Sequence, residues 1–281
     1  MINSLKLAPG SMRRSWIREL SKPGRVRAGL ASALALAFLL LPISRSTAAG
    51  QQSADPVELV LTYSVRAGDR GPFRELMRTQ GIPQLQRWEK EGVFRSYQVL
   101  FGSRAGTEDP NLLIVLRFDR FADVARWHDI EKKFPGVLPA AARPLATMVS
   151  IDVAEIISER AVSAETPASE YLAIEYDVLV DSGKYGNYVR GYVLPQFDGW
   201  EKAGAVTSYT IFVNRSPTRA RWSSLILLCY RDGEALGERD RLKDQVRAEL
   251  SFTNSAWKRW SEVKTAIRRE KAILPLRSLD Q

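Results

Sequence analysis

The feature that most constrains this chain is a repeat. PQLQRWEKEGVFRSY, Pro83 to Tyr97, returns as PQFDGWEKAGAVTSY, Pro195 to Tyr209. Sliding the chain by 112 positions aligns residues 73–118 with 185–230 without a gap, and 12 of the 46 positions are identical, among them Trp88/Trp200, Gly92/Gly204, Tyr97/Tyr209 and Leu116/Leu228. Two copies of one structural unit follow, spanning residues 57–158 and 170–276. The polar stretch ERAVSAETPAS, residues 159–169, reads as the linker between them.

The order of elements within a copy follows from hydrophobic period. VELVLTYSV and YLAIEYDVLV alternate as half-buried strands do. A helix starts near Pro72 in the first copy, and Pro83 and Pro195 must kink or restart it, since proline lacks the backbone donor a continuous helix uses. Gly92 and Gly204 suit left-handed caps. Strands are expected at Phe94–Phe101 and Leu112–Phe118, with counterparts at Val206–Val213 and Ser224–Tyr230. Second helices are expected near Phe121–Phe134 and Gly233–Leu250, and closing strands at Thr147–Ile157 and near Thr265–Leu274. This gives an α+β fold of two tandem ferredoxin-like split βαβ units. Each sheet leaves one apolar face uncovered, so the two antiparallel sheets should pack into one pseudo-symmetric α+β barrel.

The first fifty residues differ from the rest. Six Lys or Arg from Arg13 to Arg27 precede the apolar run AGLASALALAFLLLPI, and Ser46-Thr47-Ala48-Ala49 offers small residues for cleavage. Residues 1–49 are therefore expected to be a signal peptide, with Met12 before Arg13-Arg14 as an alternative start, and the protein to be periplasmic or secreted. The run is short of the roughly 20 residues that span a bilayer, so no stable membrane span is expected after cleavage. This segment holds eight Lys or Arg against Glu19 alone, hence +7 of the formal +9. With about +2 left on the remainder, the nucleic-acid reading loses its support. One cysteine, Cys229, allows no internal disulfide and reads as a small buried hydrophobe sooner than as a nucleophile.

The aliphatic first strand ending in Tyr63-Ser64-Val65, the helix closing as Pro83 to Gly92 or Pro195 to Gly204, and the strand directly after it resemble the dimeric α+β barrel superfamily. That superfamily includes antibiotic-biosynthesis monooxygenases, NIPSNAP and EthD-like proteins, muconolactone isomerases and haem-binding chlorite dismutase relatives. The resemblance covers most of residues 57–275 and implies a fold far more than an activity.

His128, the only histidine, shares a helical face with Phe121, Val124 and Ala125, which would carry its ring into the helix-sheet cavity. It is the candidate acid/base or haem ligand; the structural alternative is a partly buried histidine bonded to Asp129. Tyr63, Trp88, Trp127, Tyr176, Trp200 and Tyr230 are expected around the ligand cavity, where aromatic walls suit an apolar or aromatic molecule. For Trp88, Trp200 and their repeated segment a packing role is the stronger reading. Arg117, Asp152, Glu175 and Asp177 would form a polar set between the sheets, either lining an interior or satisfying one another as ion pairs. Scattered carboxylates and one histidine give no metal cluster, and no cofactor is expected. The leading reading is an exported protein binding a small, largely apolar molecule, with enzyme status open. Its alternatives are a cofactor-independent monooxygenase or isomerase, and an interaction module without a small ligand. A monomer containing its own pseudo-dimer, or a higher homo-oligomer, fits all three.

Overall fold

The computed structural model describes residues 56–103 and 110–279; the N-terminal segment expected to be a cleaved leader lies outside the described residues. The first copy folds as β1 (Val57–Val65), α1 (Arg70–Leu76), α2 (Ile82–Lys90), β2 (Ser96–Gly102), β3 (Leu112–Phe118), α3 (Phe121–Glu131) and β4 (Ala146–Ala161). The second gives β5 (Glu170–Val178), α4 (Ser182–Tyr188), α5 (Leu194–Lys202), β6 (Val206–Asn214), β7 (Ser224–Tyr230), α6 (Gly233–Gly237), α7 (Arg239–Thr253), α8 (Ser255–Ile267) and β8 (Arg268–Ser278). No helix among the described residues is long and apolar enough to cross a membrane.

Helical residues run on through both prolines without a break. In each copy one wide turn, Met77–Gly81 or Val189–Val193, precedes the proline, and the amide of Ile82 or Leu194 reaches back five residues to the carbonyl of Met77 or Val189. A π turn gives the pyrrolidine ring room beside the previous turn's carbonyls. Both helices then stop at glycines with positive φ, Gly92 at 68° and Gly204 at 70°.

The eight strands form one closed antiparallel barrel in the order β1-β3-β2-β8-β5-β7-β6-β4. The copies therefore do more than stack face to face. β4 pairs with its own β1 and also with β6 of the other copy, Ala154 opposite Asn214 through Ala161 opposite Ser208. β8 likewise pairs with β5 and, over a shorter stretch, with β2. Among the described residues each strand has a neighbour on both sides, although β2 meets β8 over three residue pairs only. Pairing with β6 draws Glu159, Arg160 and Ala161 into β4, which corrects the expected linker start at Glu159.

Alternation divides the side chains into three cores. Leu59, Leu61 and Tyr63 of β1 face the first copy's helices, and Leu172, Ile174 and Tyr176 of β5 face the second's. Between these layers lies the barrel interior, with Val60, Leu113, Ala173, Phe212, Trp222 and Leu227 at its apolar centre. The closing strand of the second copy begins at Arg268, three residues later than expected, because α8 is inserted before it. Asn254 makes that insertion by accepting the Trp257 amide at 2.9 Å, after which Trp257 stacks on Tyr192 with centroids 5.0 Å apart. Asn254→Ala should cost about 1 kcal/mol, read as a lower urea midpoint at unchanged m-value.

Candidate functional site

The six aromatic residues expected to wall a cavity are packed inside the two helix-sheet layers. Tyr63, Trp88 and Trp127 lie in the first core, with Trp88 edge-on to Trp127 at 5.7 Å and to Phe134 at 5.1 Å. The Tyr63 hydroxyl donates to the Gly136 carbonyl. Tyr176, Trp200 and Tyr230 lie in the second core, where the Arg268 guanidinium stands 3.8 Å over the Tyr176 ring. Burial alone would lower the Arg268 pKa, but Tyr176, Tyr188 and Tyr185 outweigh it and hold the group charged. At these positions aromatic bulk fills space.

His128 does not reach the helix-sheet layer. Val124 and Trp127 are the buried residues of α3, and the neighbouring His128 is turned outward, 65% exposed and 3.5 Å from Glu131. Of its expected face-mates, Phe121 is 53% exposed and Ala125 is exposed too, and Val124 alone is buried, so the inward side of the helix is centred on Val124 and Trp127 and leaves His128 outside it.

The polar set lies toward the barrel interior and its rim, largely paired. Arg117 Nη1 donates to Glu159 at 2.8 Å, and Arg221 Nε to Glu175 at 2.7 Å. Asp152 accepts from Ser150 and from Asn214 Nδ2 at 2.8 and 2.9 Å, and burial still raises its pKa. Glu175 is raised by burial too, against the pull of Arg221. Asp177 is held low by its hydrogen bond from Arg269. One member escaped the sequence reading. Glu58 is 1% exposed, its Oε2 has no partner among the described residues, and burial pushes it up to about 7. Its place in VELVLT, opposite in phase to Val57 and Leu59, was the available signal. Among the described residues no cluster of three His, Cys, Asp or Glu could hold a metal.

A pocket of about 210 Å³ opens where the copies meet on the second helix-sheet layer. Ser182, Tyr185 and Gly186 of α4, Val178 and Val213 of the sheet, and Ile157 of the first copy's β4 line it. The Tyr185 hydroxyl donates to Ser224 Oγ at 2.8 Å. The 112-residue offset shows what distinguishes this position in the first copy: Arg70 stands for Ser182, Arg74 for Gly186, Phe73 for Tyr185 and Phe101 for Val213. There the Arg70 and Arg74 guanidinium carbons sit 4.5 and 4.7 Å from the centroid of the Phe101 ring, and both donate to the Gly102 carbonyl. Burial and the Arg74 charge lower the Arg70 pKa. In the second copy two guanidinium groups and a phenyl ring are replaced by a hydroxyl, a hydrogen and an isopropyl group.

No known protein family and no curated protein matches the chain. Among solved structures it is similar to a candidate monooxygenase from Fusobacterium nucleatum, 11% identical, with 81% of this chain and 94% of that one covered at a TM-score of 0.51. The fold is that of the dimeric α+β barrels. A candidate monooxygenase from Lactobacillus acidophilus follows at 7% identity, 80% and 94% coverage and a TM-score of 0.49. The chlorite dismutase of Candidatus Nitrospira defluvii follows at 11%, 81% and 93%, and 0.48. At such identities the likeness concerns the fold, and the site has to carry any functional argument. In this α+β barrel chain all eight strands come from one polypeptide.

Proposed function

We propose that the protein binds a small, largely apolar molecule of single-ring size in the helix-sheet pocket of its second copy. The observation that carries this is the paired loss of Arg70 and Arg74 at Ser182 and Gly186, which leaves space on one side of a duplicated frame. A volume of 210 Å³ suits one substituted ring, since about 150 Å³ of apolar cavity already admits benzene. Val178, Val213 and Ile157 supply apolar contact, while Tyr185, whose hydroxyl donates to the fully buried Ser224, presents an oxygen that can accept from a polar substituent.

The fold shared with a candidate monooxygenase supports a second reading, cofactor-independent oxygenation or isomerisation of the bound ring, in which the Tyr185–Ser224 pair would relay a proton. The same proposal takes the halves as tandem ferredoxin-like units of NIPSNAP or EthD-like ancestry, exported by the N-terminal leader. N-terminal sequencing of protein from the producing cells should start after Ala48 or Ala49. Calorimetric titration with p-cresol should give one site with Kd below about 1 mM. His128→Ala should leave that value unchanged, because its side chain faces solvent. No saturable binding by the folded protein would end the proposal.

A further inference from the structure

A second cavity, about 420 Å³, opens at the end of the barrel where β1 begins. Pro56, Glu58, Arg95 and Arg215 line it together with β4 from Glu155 to Glu159. It shares Glu155 and Ile157 with the helix-sheet pocket but no residue of α4. Glu58 lies two positions before Val60, on the strand face that turns into the barrel, opposite Arg117 of β3 and Ala154 of β4. It is 1% exposed, and its Oε2 has no hydrogen-bond partner among the described residues. The arginines around it are engaged by other acids: Arg117 by Glu159 at 2.8 Å, Arg95 by Asp119 at 3.8 Å and Arg215 by Glu155 at 3.9 Å. One carboxylate of this barrel mouth is therefore left over, and a buried carboxylate is costly until a donor or a counter-charge meets it.

We propose that this cavity is a second binding site, taking a small planar organic cation of the amidinium or guanidinium type that donates an N–H to Glu58 while its apolar part rests on Ile156 and Ile157. An anion is disfavoured because it would meet Glu58, Glu155 and Glu159 or have to break the existing ion pairs. An uncharged molecule would leave the Glu58 charge uncompensated.

Benzamidine, one ring bearing an amidinium, is the probe. Titrated calorimetrically into the folded protein at pH 8, it should bind with Kd below about 1 mM, and benzamide, its uncharged analogue of the same shape, at least about ten-fold more weakly. Glu58→Gln should lose at least about ten-fold in benzamidine affinity while its urea midpoint at pH 8 holds or rises, so lost binding is not lost folding. The charged groups facing Glu58 are Arg117, Arg95, Arg215, Glu155 and Glu159, and burial outweighs the three arginines in raising its carboxyl to about 7. At pH 5.5 the carboxyl is neutral, so benzamidine should bind the parent at least about ten-fold more weakly than at pH 8, and Glu58→Gln should lose most of that dependence. Gly186→Arg should leave benzamidine binding unchanged and Glu58→Gln should leave p-cresol binding unchanged, so the two sites fail separately. No saturable binding, equal affinity for benzamide, full benzamidine affinity in Glu58→Gln, or its loss in Gly186→Arg would each overturn the proposal.

Discussion

Gly186→Arg should lower p-cresol affinity at least about 30-fold, or about 2 kcal/mol, while the protein stays folded. The helix has room for the change: a Cβ at Gly186 would meet only the Arg190 guanidinium, at 3.6 Å. The new side chain can then lie over Val213 as Arg74 lies over Phe101. Replacing a helical glycine gains up to about 1 kcal/mol, and like charge with Arg190 four residues on costs a few tenths. The urea midpoint should therefore hold or rise while the calorimetric signal disappears. A variant that still binds p-cresol as the parent does would place the ligand elsewhere.

Glu58→Gln should stabilise the protein by up to about 3 kcal/mol at pH 8 and hardly at all at pH 4.5. Burial raises the Glu58 carboxyl from its ordinary value of 4.5 to about 7, although Arg117, Arg95 and Arg215 favour the charged form. The folded state thus binds a proton more tightly than the unfolded chain. In the parent this group's contribution is fully present below about pH 4.5, is lost as pH rises through 7, and then levels off. Asp152 and Glu175 are raised as well and act in the same direction. Glutamine keeps the neutral shape and removes the Glu58 part of that slope. Urea titrations of both proteins at pH 4.5 and 8 measure it, and a variant less stable than the parent at pH 8 would refute the burial argument.

Much of the fold is legible in the sequence because duplication exposes it twice. The alternation in VELVLTYSV and YLAIEYDVLV, the glycines at 92 and 204, and the strands after them need only local physics. How the sheets join is less legible. Polar residues such as Glu159 and Arg160 read as linker until a neighbouring strand supplies their backbone partners. The proline turn is hidden for a similar reason, since the widened hydrogen bond belongs to residues before the proline.

The site was harder still. Helical spacing places Val124 and Trp127 on one face, but it could not say that Phe121 and His128 turn to solvent. Large aromatics such as Trp88 and Tyr230 look alike in sequence whether they wall a cavity or fill it. The difference between the copies that matters is not His128 against Asp240, which distinguishes nothing in the interior, but Arg74 against Gly186, which decides which half has room.

The most direct measurement is a crystal structure of the mature protein soaked with p-cresol. The ring should appear between Tyr185, Val213 and Ile157, and at no place near Phe101 in the first copy. Density beside Phe101 with Arg70 and Arg74 displaced, or a ring only in the barrel interior, would contradict the account.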